Sequence, residues 1–273
     1  MLKFVEITFD LENVEVSQIE ESLGIEGFNR FFVEWVSGKT FLRVYLHENE
    51  DIPPPLRELR EVSRKVVKPD DWLKKFLDTF KPFEMIPGVV VIPNVQQYTD
   101  YKAANDRILI KLTPGAAFGT GLHPTTRMTA MLMKETLHSG DSVADVGCGS
   151  GILAVLAKKL GASKVVAIDN DPVAVLKAKE TAKENDADIE VIENNLLDNV
   201  SETFDLIIAN IYAEVLLKLL DQIDSHLKEN GRVVLSGIVK EKLDQISAKA
   251  SEKRLHVIKE LEEEDWCALL LKK

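Results

Sequence analysis

From about Asp141 onward the chain alternates short apolar runs with amphipathic stretches, so regularly that a sheet layered between helices is the fold that buries them. Strands are expected at 142–146, 165–169, 189–192, 204–209, 232–237, 255–261 and 267–271, with helices between the first five and again at 240–251. Strand–helix alternation of this kind requires parallel strands joined by crossovers, hence a doubly wound α/β sheet. Between the last two strands lie only the acidic residues Glu262-Glu263-Glu264-Asp265. So short a link cannot hold a crossover, and the seventh strand must run antiparallel to the other six.

The front of the chain has a different rhythm. The opening residues, MLKFVEITFD, alternate apolar and polar side chains and read as a strand, not as a leader peptide. A helix over 16–23 and strands over 28–36 and 40–46 follow, with Ser37-Gly38-Lys39 supplying a hairpin. Residues 1–52 therefore form a small α+β domain. Pro53-Pro54-Pro55 interrupts it, and a charged stretch over 56–67 is expected to be helical until Pro69 ends it. Residues 53–70 read as a helical linker. An amphipathic segment at 71–80 leads into an apolar strand at 86–92 and opens a large domain over 71–273.

Within that domain the run Val143-Ala144-Asp145-Val146-Gly147-Cys148-Gly149-Ser150-Gly151 passes from an apolar strand through three alternate glycines into a helix. Glycines at 147, 149 and 151 let the backbone turn tightly and approach a ligand. The helix N-terminus behind them favours a negative group such as a carboxylate. Asp169, at the tip of the next strand, can accept hydrogen bonds from both hydroxyls of a ribose. The dinucleotide pattern G-x-G-x-x-G would need glycine at 152, where this chain has Ile152, and Asp145 is an acid that a pyrophosphate would tolerate poorly. A ligand-free tight turn is the bland alternative, and the two acids weigh against it. Spacing, acids and a reversed last strand together match the seven-stranded methyltransferase sheet and its cofactor, S-adenosylmethionine, better than a dehydrogenase.

Two further segments bear on the site. The fourth strand ends Ala209-Asn210-Ile211-Tyr212, and Asn210 either offers its carbonyl to a substrate nitrogen or caps the next helix. The glycine-rich stretch from Pro114 to Thr126 precedes the sheet and runs into a helix reaching about 137, with Thr125 or Thr126 as its expected N-cap. Phe118 is a core residue or a lid over the cofactor. His123 is a candidate base, set against the commoner structural histidine.

Composition narrows the partners. Residues 1–52 carry four basic against eleven acidic residues, within a whole-chain charge of −11. Such a surface repels a phosphate backbone, which argues against bulk nucleic-acid binding. It is either a solubilising face or a docking face for a basic protein. The chain has no apolar run of about eighteen residues, the length a membrane span needs. Two distant cysteines, Cys148 and Cys267, suggest a reducing cytoplasm. The five histidines show no metal-ligand spacing.

The motifs resemble one family: the PrmA-type methyltransferases of the eleventh large-subunit ribosomal protein. The resemblance rests on Ala117-Phe118-Gly119-Thr120-Gly121 with His123-Pro124-Thr125-Thr126, on Asp145 through Leu153, and on Asn210-Ile211, and in pattern it extends from about Asp71 onward. It implies that Thr126, Gly147, Asp169 and Asn210 contact the cofactor or lie beside it. It also implies transfer of several methyl groups to lysine ε-amines and an N-terminal amine of a basic ribosomal protein, recognised by the N-terminal domain across a flexible linker. Tyr212 stands where family members commonly carry leucine.

Overall fold

A computed structural model describes residues 4–26, 28, 30–36, 38–67, 81–93, 98, 101, 106–113 and 119–273. The chain divides into two compact units, Met1–Lys81 and Pro82–Lys273.

In the first unit, strands β1 (Phe4–Asp10), β2 (Phe31–Val36), β3 (Lys39–His47) and β4 (Arg60–Val67) form an antiparallel sheet in the order β2-β3-β1-β4. Helix α1 (Val16–Ile25) contributes Leu23 to a core with Ile7, Phe9, Leu42, Val44, Leu46 and Leu56. Ile7 and Phe9 on β1, and Leu42, Val44 and Leu46 on β3, are alternate residues and so share one face of the sheet.

The expected helix over 56–67 is not formed. One 3-10 turn at Pro54–Leu56 is followed by β4, which pairs with β1 from Phe4↔Val67 to Asp10↔Arg60. The helical linker over 53–70 is corrected accordingly, since residues 60–67 complete the first unit's sheet. An edge strand exposed along nearly its whole length shows no apolar alternation, so its charges mimic a solvated helix. What selects a strand is the free edge of β1 and the β-branched Val62, Val66 and Val67. The expected segment 71–80 lies outside the described residues.

The opposite face of β1 carries Glu6, which is buried and held by three partners. Tyr45 Oη donates to it at 2.9 Å, Arg43 at 3.1 Å, and Lys65 on β4 lies at 2.6 Å. Burial by itself raises the Glu6 pKa, but the bonds from Lys65 and Tyr45 and the charges of Lys65 and Arg43 outweigh it, leaving a net depression.

The second unit is built on strands β8 (Ser142–Val146), β9 (Lys164–Asp169), β10 (Glu190–Glu193), β11 (Phe204–Asn210), β12 (Leu227–Val239), β13 (His256–Glu263) and β14 (Trp266–Lys272). Their order is β10-β9-β8-β11-β12-β14-β13. The sheet is parallel except for β14, which enters last, antiparallel between β12 and β13. Helices α2 (Pro124–Thr136), α3 (Ile152–Lys159) and α4 (Pro172–Glu184) pack together, as do α5 (Ala213–His226) and α6 (Leu243–Glu252). The α5–α6 face buries Leu216, Leu219, Leu220, Ile223, Ile246 and Ala250 against alternate strand residues such as Ala144, Val146, Ile207 and Ala209.

Two expectations are corrected here. The strand over 86–92 is broken at Pro87-Gly88, where Gly88 has φ +83°, into a hairpin of β5 (Phe83–Ile86) and β6 (Val89–Pro93), with β7 (Ile108–Leu112) pairing parallel to β6. No helix joins β10 to β11. Leu196 and Asn199 take left-handed φ there, and the Asn194 side chain donates to the carbonyls of Leu196 and Asp198. Asparagine and aspartate side chains thus compete with helical pairing in this link. No helix among the described residues is long and apolar enough to cross a membrane.

The Glu6 cluster generates the first prediction. Removing the Tyr45 hydroxyl leaves a buried carboxylate oxygen short of a donor, so Tyr45→Phe should destabilise the first unit by about 1–3 kcal/mol. Hydrogen exchange of the β1 amides measures it, and the loss should fade as pH falls below the ordinary carboxylate range, where Glu6 protonates. Unchanged protection at neutral pH would refute it.

Candidate cofactor and transfer site

The carboxyl ends of β8, β9 and β11 meet where the strand order turns from β9 through β8 to β11, the position at which open α/β sheets bind ligands. The loop after β8 is shaped by Gly147, Gly149 and Gly151, at φ +74°, +52° and +79°. Main-chain N–H groups of Gly147 and Cys148 both donate to the Ile168 carbonyl, at 2.8 and 3.0 Å. Asp169 Oδ2 accepts from Gly149 N–H at 2.9 Å, and Oδ1 from Asp171 N–H at 3.0 Å. A carboxylate has about four acceptor positions. Asp169, half-buried at the strand tip, therefore holds the loop and retains capacity for two hydroxyls.

The glycines serve different ends. A Cβ on Gly147 would fall 2.2 Å from Ile211 Cγ2, and one on Gly151 would fall 3.0 Å from Cα and Cβ of Ala178 on α4. Gly151 is the left-handed N-cap of α3 and lets α3 and α4 approach closely.

Asp145 lies beneath the loop, fully buried, with both carboxylate oxygens unpartnered among the described residues. Burial pushes its pKa up to about 7; the nearby Ala154 amide opposes the rise and the charge of Asp169 adds to it. Burial, with the charges of Asp145 and Asp169, also drives the Cys148 thiol upward, so it stays uncharged.

Asn210 ends β11 and donates from Nδ2 to Thr126 Oγ1 at 3.3 Å. Its cap reading is set aside, because α5 begins beyond Tyr212 with no side-chain cap. Its partner Thr126 is buried. The N-cap of α2 is His123, not Thr125 or Thr126: Pro124 takes the first helical position and His123 Nδ1 accepts from Thr125 N–H at 3.3 Å. The same nitrogen lies 2.8 Å from Thr125 Oγ1, and the ring meets Trp266 edge-on at 5.2 Å. Phe118 lies outside the described residues.

Sequence reasoning missed how the glycine-rich stretch is tied down. Ser150, inside the loop, donates from Oγ to the Gly119 carbonyl at 2.7 Å. It also missed Gly237, an isolated glycine within a strand, which is itself a sequence sign of a bulge or close approach.

Entry of the last strand between the fifth and sixth marks this as a methyltransferase sheet, and the ribose-ready carboxylate beside a glycine loop makes the chain an S-adenosylmethionine-dependent enzyme of that class. The family model "Ribosomal protein L11 methyltransferase (PrmA)" matches residues 14–273, and the chain belongs to that family. It is 42% identical to the ribosomal protein L11 methyltransferase of Thermotoga petrophila over 273 residues, covering all of both chains. Identity to the Dictyoglomus turgidum relative of that name is 34%, over 97% of each chain. Among solved structures, the ribosomal protein L11 methylase of Lactobacillus delbrueckii subsp. bulgaricus superposes with a TM-score of 0.66 at 36% identity, covering 70% of this chain and 98% of that one.

The orphaned Asp145 carries a stability prediction. Its folded pKa lies above the ordinary value of 3.8, so stability falls as pH rises from there to about 7 and stays reduced above that. Each tenfold change in the protonation equilibrium is worth about 1.4 kcal/mol. Ligand-free Asp145→Asn should therefore outlast the native protein in thermal unfolding at pH 8, with a gap that narrows toward pH 5. Equal stability at pH 8 would remove the buried charge from the account.

Proposed function

We propose that this protein methylates lysine ε-amines, and an N-terminal α-amine, of ribosomal protein L11. The observation that carries this reading is Asn210, which ends β11 beside the end of β8 and donates from its side-chain nitrogen to Thr126 Oγ1. An amide so placed suits a nitrogen nucleophile that must present its lone pair.

When bound, S-adenosylmethionine supplies a methyl group on a positively charged sulfur, and the demethylated thioether departs. Asp169 would hold its ribose, and the backbone of Gly147, Gly149 and Gly151, with the N-terminus of α3, its carboxylate. Thr126 would line the same pocket. A free lysine amine has a pKa of about 10.4, so most of it is protonated at neutral pH. Desolvation in the site and a neighbouring positive charge both favour the neutral form. Asn210 Oδ1 and adjoining backbone oxygens then orient the nitrogen by accepting its hydrogens, and much of the rate comes from that alignment. The released proton passes to water; His123, whose Nδ1 caps α2, shapes the wall.

The acidic first unit is proposed as the recognition domain for this basic partner, in the cytoplasm and without a nucleic-acid contact. Charge complementarity supports this: the unit, Met1–Lys81, carries twelve basic against sixteen acidic residues, with the acidic excess concentrated over 1–52.

The test is transfer of radiolabelled methyl groups into ribosomal components resolved by mass. Label is expected in protein L11; label confined to RNA would overturn the proposal. In calorimetry, Asp169→Ala should weaken S-adenosylhomocysteine binding at least about tenfold, the cost of a lost charged hydrogen bond. Asn210→Ala should keep that affinity and lose most turnover, and full activity would remove Asn210 from the mechanism.

A further inference from the structure

Ile211, directly after Asn210, occupies a slot between two residues that lack side chains. The sheet order β8-β11-β12 puts β11 between the two strands that carry them. On the β8 side is Gly147, whose Cβ would collide with the Ile211 side chain. On the β12 side is Gly237, where an added Cβ would lie 2.5 Å from the Ile211 carbonyl oxygen, 2.9 Å from its carbon and 3.1 Å from its nitrogen. The two contacts differ in kind. A side-chain methyl can rotate away from Gly147, but backbone facing Gly237 moves only with the strand tip.

Gly237 has φ +81° and interrupts β12 where its register with β14 shifts, between Ser236 and Ile238. The irregularity brings β12 backbone against the end of β11. Ile211 N–H donates to the Ser236 carbonyl at 3.2 Å, and Ser236 Oγ donates to the Thr125 carbonyl at 3.3 Å. Thr126, the next residue of α2, holds Asn210. Positive φ alone does not explain this glycine. Gly140, at φ +93°, also requires the left-handed region, yet a Cβ there would meet nothing within 4 Å.

We infer that Gly237 is a positioning residue for methyl transfer: its missing side chain sets where the Asn210 amide and the Ile211 carbonyl stand relative to the glycine loop. It need touch neither cofactor nor amine. Relieving a Cβ–oxygen approach of 2.5 Å would displace the strand tip by up to about 1 Å, enough to cost on the order of a hundredfold in an alignment-dependent reaction. The inference rests on the proposed role of Asn210.

The experiment compares Gly237→Ala, Gly237→Asn and Gly140→Ala with the unaltered protein. Calorimetry with S-adenosylhomocysteine, kcat for labelling of ribosomal protein L11, and the side-chain amide NMR resonances of Asn210 are measured for each. Both Gly237 variants should hold affinity within about threefold, lose at least about tenfold in kcat and move the Asn210 resonances, because each adds a Cβ. Gly140→Ala, which shares only the strain of positive φ, should change none of the three. A native kcat in Gly237→Ala overturns the inference. So does activity restored by asparagine, which tolerates left-handed φ and would make backbone conformation the whole role. If the Gly237 variants are too unstable to assay alone, saturating S-adenosylhomocysteine stabilises the fold by mass action, and Asn210 resonances that stay in place in that complex refute the inference. No label in L11 with the unaltered protein sinks the functional reading instead, and the Asn210 resonances still judge the slot.

Discussion

The carboxylate of Asp169 accepts main-chain hydrogens from Gly149 in the loop after β8 and from Asp171 at the start of α4, while its carbonyl accepts from Asn194 beyond β10. Three loops belonging to three strands are thereby registered on one residue. The site depends on this, because alternate glycines leave the loop few side chains with which to fix its own shape. A charged acceptor strengthens the two carboxylate bonds relative to neutral ones. The same carboxylate keeps acceptor positions open, so the group that organises the loop also suits a ribose.

Two acids close in space meet different surroundings. Asp169 is half-buried and satisfied by amide hydrogens, whereas Asp145 is sealed beneath the loop with neither oxygen bonded. Burial dominates the second case and drives its pKa toward neutrality. The first unit shows the opposite outcome. Glu6 is also closed off from solvent, though it lies less deep, and Tyr45, Arg43 and Lys65 converge on it, so its pKa is depressed. Partners and depth together separate the two carboxylates.

Bare backbone recurs wherever elements must come close. Gly151 admits α4 to α3, Gly147 admits Ile211, and Gly237 admits the main chain after Asn210. Close approach on both sides of β11 leaves the strand tip little freedom, as alignment-dependent transfer requires. Ser150 joins the glycine-rich stretch to this assembly through Gly119.

Sequence by itself determined the parts whose cause is local. The doubly wound sheet follows from apolar periodicity, the reversed seventh strand from a link too short for a crossover, and the loop and Asp169 from glycine spacing and a strand-tip acid. Only tertiary structure decided β4, an exposed charged segment that is a strand because the edge of β1 is free. It alone decided that Asn210 donates to Thr126 and that Gly237 faces Ile211. Periodicity and spacing report the preferences of a chain for itself. Edge pairing, amide bonding and steric room are set by residues 50 to 63, 84 and 26 positions away, and no local pattern records which neighbour will arrive.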